Sequence, residues 1–207
     1  MKPGHEEHAT GAPPLRGRVV VITRAREQAA SFRTLLETAG ARVLTLPTIV
    51  IEAPESWERL DHALASLDGY RWVIFTSVNG VEMVRRRLDT AGRDARALGA
   101  LRVAAIGPAT AEALARLGVA PEVVPDAYVA EELVATLRPL VRAGDRILLP
   151  RAARTRDLLV RELEGMGARV DEIAAYRTQP APEDGGALRD AIRAGGVDAV
   201  TFTSSST

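Results

Sequence analysis

The sequence predicts an α/β protein with two similar lobes of parallel sheet, and three observations lead there. Short β-branched runs alternate with longer stretches of helical periodicity. The 207-residue chain is 46% hydrophobic but only 4% aromatic, enough for a core built of Leu, Val, Ala and Ile. The chain also resembles itself at a fixed offset of 127 positions. Alternating strands and helices favour parallel sheets joined by right-handed crossovers, and self-similarity at one offset points to duplicated units.

Taken in order, RVVVIT (18–23) is a short apolar run of the kind that forms a buried strand. Residues 26–39 carry Ala29, Phe32, Leu35, Leu36 and Ala39 at helical spacing, and Gly40 stands where a helix C-terminus wants glycine. RVLTLP (42–47) is the second strand and IVIEA (49–53) is extended. A helix near 55–67, the strand WVIFTS (72–77) and a helix over 79–90 follow. Next come RVAAIG (102–107) as strand, PATAEALARLG (108–118) as helix and the short extended EVVP (122–125). The pattern ends with a helix over 130–142, RILLP (146–150), a helix over 154–166 and the strand RVDEIAAY (169–176). Residues 1–16 lack a signal-type apolar core and read as a disordered leader.

The repeat lays GRVVVITRAREQ (17–28) over GDRILLPRAART (144–155), GARV (40–43) over GARV (167–170), and Phe75-Thr76-Ser77 over Phe202-Thr203-Ser204. Three matches in one register are hard to obtain by chance. The second copy has no counterpart to the segment after Ser77, so about 50 residues that a duplication calls for are not in the sequence. TFTSSST (201–207) then reads as a strand end and loop interrupted, rather than as a tail.

Composition excludes several functions. Lys+Arg and Asp+Glu are both 27, so there is no basic excess for general nucleic-acid binding. With no cysteine there is no disulfide, thiolate or Cys-metal chemistry, and His5, His8 and His62 form no ligand spacing. His62 reads as solvated. No run is long enough to span a membrane. The expectation is a cytoplasmic protein.

Four stretches can carry chemistry. TSVNG (76–80) joins a strand to a helix, where open α/β sheets bind ligands. Thr76, Ser77 and Asn79 there either serve an anion at the helix N-terminus or act as ordinary caps. IGPAT (106–110) is a second such turn, with Gly107 for the bend, Pro108 preset for the first helical position and Thr110 in the first turn. It is neither a P-loop nor GxGxxG. TRAR (23–26) and PRAART (150–155) place Thr23, Arg24 and Arg151 at helix starts, where a cation opposes the helix dipole. An anionic ligand explains them, as does solvation or pairing with Glu27 and Asp157. Tyr176 ends its strand. Its repeat counterpart is Ile49, so the phenol is either a proton donor or a packing residue.

These residues resemble the uroporphyrinogen-III synthase family through VVITRAREQAASF, WVIFTSVNGV, VAAIGPATAEAL, RILLPRAARTRDLLVRELEGMGARVDEIAAYRT and DAVTFTSSST, over 17–207. The resemblance implies two flavodoxin-like lobes: a discontinuous one of 17–47 plus 178–207, incomplete at its C-terminus, and a second of 50–175, with a two-stranded linker near 48–53 and 174–180. It implies a cofactor-free enzyme that cyclises hydroxymethylbilane, a linear tetrapyrrole polycarboxylate, with inversion of the last ring and loss of water. Tyr176 matches the family's phenol and is the implied catalytic acid. Thr76, Ser77, Thr110, Thr203 and Ser204 match cleft positions; Thr23, Arg24, Asn79, Gly107, Arg151 and Ser205 complete the expected substrate-binding set. No metal, nucleic acid or membrane partner is implied, and a monomer is expected. The family's second G-x-x-T turn would fall near position 237, so 1–207 alone is expected to be inactive or unstable. Two other readings compete. One is a non-catalytic sensing module fused to a regulatory or DNA-binding region. The other is a solute-binding protein, against which the missing signal sequence counts.

Overall fold

The computed structural model describes residues 12–153, 157–181 and 186–202. In chain order the elements are β1 (Val19–Ile22), α1 (Arg26–Thr38), β2 (Arg42–Thr45), β3 (Ile49–Glu52), α2 (Glu58–Ala65), β4 (Trp72–Phe75), α3 (Val78–Thr90), β5 (Arg102–Ala105), α4 (Pro108–Ala115), α5 (Ala130–Leu137), β6 (Arg146–Ala152), α6 (Leu158–Gly165), β7 (Arg169–Pro180), α7 (Gly186–Arg193) and β8 (Ala199–Thr201). Short 3₁₀ turns occupy Leu67–Gly69 and Ala95–Ala100. The chain divides into two compact units, Met1–Val50 with Gln179–Thr207, and Ile51–Thr178.

The first unit has a three-stranded sheet in the order β2-β1-β8, all parallel. Val20, Ile22, Ala29 and Val43 form its core, with Phe32 and Leu36 of α1 packed against them. Asp198 fixes the start of β8. Its carboxylate accepts from the Val19 N–H and the Arg18 guanidinium, both at 2.7 Å. These contacts hold its pKa below the usual carboxylate range, the backbone bond contributing most. The expected leader needs correcting where it is described. Pro13–Arg16 form a turn against the end of α1; Leu15 donates to the Ala39 carbonyl at 2.8 Å and packs on the core. Gly40 faces that turn at φ +92°, and a Cβ there would stand 2.7 Å from Pro13 Cβ. Only glycine meets both demands.

The second unit holds a five-stranded sheet in the order β3-β7-β6-β4-β5. All four residues of β4 are fully buried, as a central parallel strand requires. Side chains alternate between faces. Val73, Phe75, Val103 and Leu148 join a core with Leu60 of α2, Val84 and Leu88 of α3 and Leu114 of α4. Trp72, Ile74, Ala104, Ile147 and Leu149 join the other, with Leu133 and Leu137 of α5 and Leu159 and Leu163 of α6. The helix following β4 therefore covers one face and the helix following β6 the other. Adjacent strands whose connections diverge in this way open a crevice at their carboxyl ends.

The ladders of the two units share one register. Val19 pairs with Arg42 and Val20 with Ala199 in the first; Arg146 pairs with Arg169 and Trp72 with Ile147 in the second. Adding 127 to the first-unit positions of β1 and β2, and subtracting it from Ala199, turns one set of pairs into the other. The sequence offset is thus matched by strand pairing as well as by residue type.

Candidate functional site

The carboxyl ends of β4, β5 and β6 bring most of the second-unit candidates together. Ser77 has an extended backbone and caps α3, its Oγ accepting the Gly80 N–H at 3.0 Å. This is the capping role the sequence allows, yet the same oxygen also lies 3.0 Å from the Tyr176 hydroxyl. Gly80 makes the approach feasible. A Cβ on it would stand 3.0 Å from the Pro150 carbonyl oxygen, so the first turn of α3 lies directly on β6.

Tyr176 reaches Ser77 because of an irregularity in β7. Along β6 and β7, Arg151 pairs with Ala174, but Ala152 pairs with Tyr176, so Ala175 has no opposite number. In a regular strand neighbouring side chains point to opposite faces. Here Ala175 and Tyr176 are both buried in the core beneath α3, alongside Ile173. A bulge next to a site commonly re-aims a side chain in this way, and the Ala153 N–H closes it on the Tyr176 carbonyl at 2.9 Å.

On the other side of the strand tips lies a cavity of about 460 Å³. Thr76, Ile106 and Arg151 line it from the ends of β4, β5 and β6. Tyr128 and Val129 before α5, Glu131 in its first turn, and Leu158 and Leu159 of α6 complete it. Arg151 is 4% exposed. Burial pushes its guanidinium below the ordinary arginine value, against the opposing charges of Glu172, Tyr176 and Asp157. It forms an ion pair with Glu172 at 3.2 Å. The Asp157 carboxylate, offered by the sequence as a partner, is one of those charges and also lies 3.9 Å from the Arg161 guanidinium. A buried cation at the mouth of a cavity suits an anionic ligand.

The remaining candidates are scattered. Gly107 is the extended residue before α4, and Pro108 opens that helix. A Cβ on Gly107 would sit 3.0–3.1 Å from Tyr128 Cγ, Cβ and Cδ1. Thr110 is buried in the first turn, its N–H donating to the Gly107 carbonyl. Asn79 lies in the first turn of α3. In the first unit, Thr23 follows β1 at 1% exposure and donates its hydroxyl to the Thr201 carbonyl at 2.7 Å. Its carbonyl accepts from the Thr48 N–H, so Thr23 ties strand ends together. Arg24 beside it is half-buried. Thr203, Ser204 and Ser205 lie outside the described residues. His62 is exposed, as expected. Among the described residues no group of acidic residues and histidines could hold a metal ion, and no helix is long and apolar enough to cross a membrane. Sequence reasoning missed Tyr128, Glu131 and Glu172. The only signal for Tyr128 was an isolated aromatic just before a helix.

The family profile of uroporphyrinogen-III synthase HemD matches residues 30–207. This chain belongs to the uroporphyrinogen-III synthase family. The synthase of Synechococcus elongatus is 34% identical over 195 residues, covering 94% of this chain and 73% of that protein. The porphyrin biosynthesis protein HemD of Ruminiclostridium josui is 29% identical, and there the chain spans 38% of the relative's length. The structure of a mutant uroporphyrinogen III synthase from the extremely thermophilic bacterium Thermus thermophilus superposes with a TM-score of 0.60 at 27% identity, over 88% of this chain and 71% of that one. Within the synthase family, then, this chain sets a serine-capped phenol and a cavity with a buried cation at the carboxyl ends of one parallel sheet.

Proposed function

We propose that the chain acts as a uroporphyrinogen-III synthase on hydroxymethylbilane, with Tyr176 as the proton donor. The observation that carries the assignment of Tyr176 is the 3.0 Å contact between its hydroxyl and Ser77 Oγ. The serine oxygen already accepts the Gly80 N–H. When its own proton goes to the phenol oxygen, the phenol proton is left for the substrate.

The step balances without a cofactor. The phenol gives its proton to the hydroxymethyl oxygen, the C–O bond breaks, and water leaves a cationic pyrrole terminus. The phenolate is held by the hydroxyl of Ser77, at the positive end of the α3 dipole. Attack by the inverted terminal ring closes the macrocycle, and the proton lost from that ring returns charge neutrality. Acid assistance of this kind is worth about 10²–10⁴ in rate. The rest is positioning of a long flexible chain. Thr76, Arg151 and the N-terminal turn of α4 at Gly107 and Thr110 take carboxylate arms in this reading; Asn79, Arg24, Thr203, Ser204 and Ser205 are held to the same role, whereas the Thr23 hydroxyl, which donates to the Thr201 carbonyl, is not. The enzyme then works as a cytoplasmic monomer on a small-molecule polycarboxylate, without nucleic acid. Its two units descend from one duplicated ancestor, which the shared strand register supports.

The test is turnover of hydroxymethylbilane by the full-length protein, separating type III from type I product. Tyr176→Phe is expected to cut type III formation at least about 100-fold. An unchanged rate would remove Tyr176 from the chemistry.

A further inference from the structure

The strand-end cavity has a composition that a carboxylate pocket does not explain. Arg151 supplies a buried cation, but Glu131, an exposed residue of α5, lines the same space. An anion drawn to one is repelled by the other. A ligand satisfying both carries an anionic group and a hydrogen-bond donor a short distance apart. The wall between them is apolar: Ile106, Leu159 and, most prominently, Tyr128. Tyr128 is 61% exposed, an unusual state for an aromatic in a chain with so few. Its side chain lies against the backbone of Gly107, where any Cβ would meet the ring at 3.0–3.1 Å. The phenol is therefore supported from behind by the α4 turn while its other surface is open.

We infer that Tyr128 is a substrate-positioning residue: a flat shelf on which one pyrrole ring of the substrate packs, its carboxylate arm toward Arg151 and its N–H toward Glu131. The inference rests on the hydroxymethylbilane reading and deepens it. A pyrrole with acidic arms brings a π-face, an N–H donor and an anion within one ring, which are the features the cavity walls offer. Glycine at 107 is then explained by the shelf as well as by the turn, because a side chain there would push the ring into the cavity. By fixing one ring, Tyr128 limits the orientations from which closure can start, so it bears on the choice between type III and type I product.

Two measurements on the full-length protein test this. The first is turnover of hydroxymethylbilane with product-isomer analysis. The second is equilibrium binding of uroporphyrin III, the stable oxidised form of the product, followed by fluorescence. Tyr128→Phe keeps the flat ring and is expected to match the parent protein in both. Tyr128→Ala is expected to raise KM and weaken uroporphyrin binding by about three- to tenfold, the range for an aromatic contact, with kcat changed less than about twofold. Its type I fraction rises. Because the side chain is mostly exposed, Tm should stay put. Equal KM and porphyrin affinity in Tyr128→Ala and the parent would overturn the shelf while leaving the synthase assignment standing. A parent protein that binds uroporphyrin through Tyr128 but makes no type III product would overturn the assignment instead. Loss in Tyr128→Phe equal to that in Tyr128→Ala would show that the hydroxyl acts, not the ring, and would also defeat the inference.

Discussion

Ser77 Oγ and the Tyr176 hydroxyl stand 3.0 Å apart, linking a helix cap to a residue within β7 ninety-nine positions away. The pair has two proton arrangements, and only the one with Ser77 donating leaves the phenol proton available. Ser77→Ala should therefore do two things at once. Losing the cap costs about 1 kcal/mol of stability, read from the denaturation midpoint. Losing the donor lowers kcat for type III formation, by less than Tyr176→Phe does. A Ser77→Ala protein with lowered stability but full kcat would reduce Ser77 to a cap.

Gly80 has no chemistry, yet it sets that distance. In Gly80→Ala the new methyl would begin 3.0 Å from the Pro150 carbonyl oxygen, and neither helix nor strand backbone yields easily. Overpacking of this kind costs about 1–3 kcal/mol. The expected variant is folded but less stable, with kcat reduced more than KM is raised. Calorimetry with steady-state kinetics separates the two effects.

Thr23 is a case where the structure favours tying over binding. Its buried hydroxyl donates to the Thr201 carbonyl at 2.7 Å. Thr23→Val keeps the shape and leaves that carbonyl short of a partner. The expected loss is about 1–3 kcal/mol, with substrate KM unchanged. A raised KM at unchanged stability would restore Thr23 to the binding set.

Alkaline pH should weaken the fold through Tyr70. Burial, then the hydrogen bond to Asp171 at 2.6 Å, pushes its pKa up to about 12 from the usual 10. Above pH 10 the unfolded chain loses this proton and the folded chain keeps it. Stability is thus complete below pH 10 and falls through to about pH 12. The window is unusually clean, since Lys2 is the only lysine and there are three tyrosines. Tyr70→Phe should flatten the alkaline limb of a stability–pH curve. At the acid end Glu82, held down to about 2 chiefly by its hydrogen bond to Arg85, stabilises above pH 4.5 and ceases to as pH falls toward 2.

The sheet strands were legible because fully buried parallel strands are written as unbroken apolar runs, WVIF and RILL among them. The starts of α3 and α4 were legible from Ser77 and Gly107-Pro108, whose local chemistry needs no partner. The Ala95–Ala100 turn was not, since six residues of 3₁₀ structure carry no useful periodicity. Strand β7 runs to Pro180, beyond the expected end at Tyr176, because pairing rather than residue type extends it. Tyr176 could be named from its place at the expected strand end, but not the face it occupies. Nor did any local pattern reveal the Arg151–Glu172 pair, which depends on two strands lying side by side. The wall built by Tyr128 and Glu131 depends in the same way on a loop meeting a sheet.

The unmatched Ala175 has an evolutionary meaning. Strict alternation at the present count would turn the tyrosine to the face opposite Ile173 and Ala175, with every letter of the gene unchanged. Deleting Ala175 would instead leave the tyrosine two places after Ile173, on its present face and still opposite Ala152, and would remove the bulge. Swapping Ala175 for another small residue would change little. What is inherited at this point of β7 is a backbone shape rather than a letter. A lineage could therefore lose its acid by straightening the strand while an alignment still displayed the tyrosine in its column.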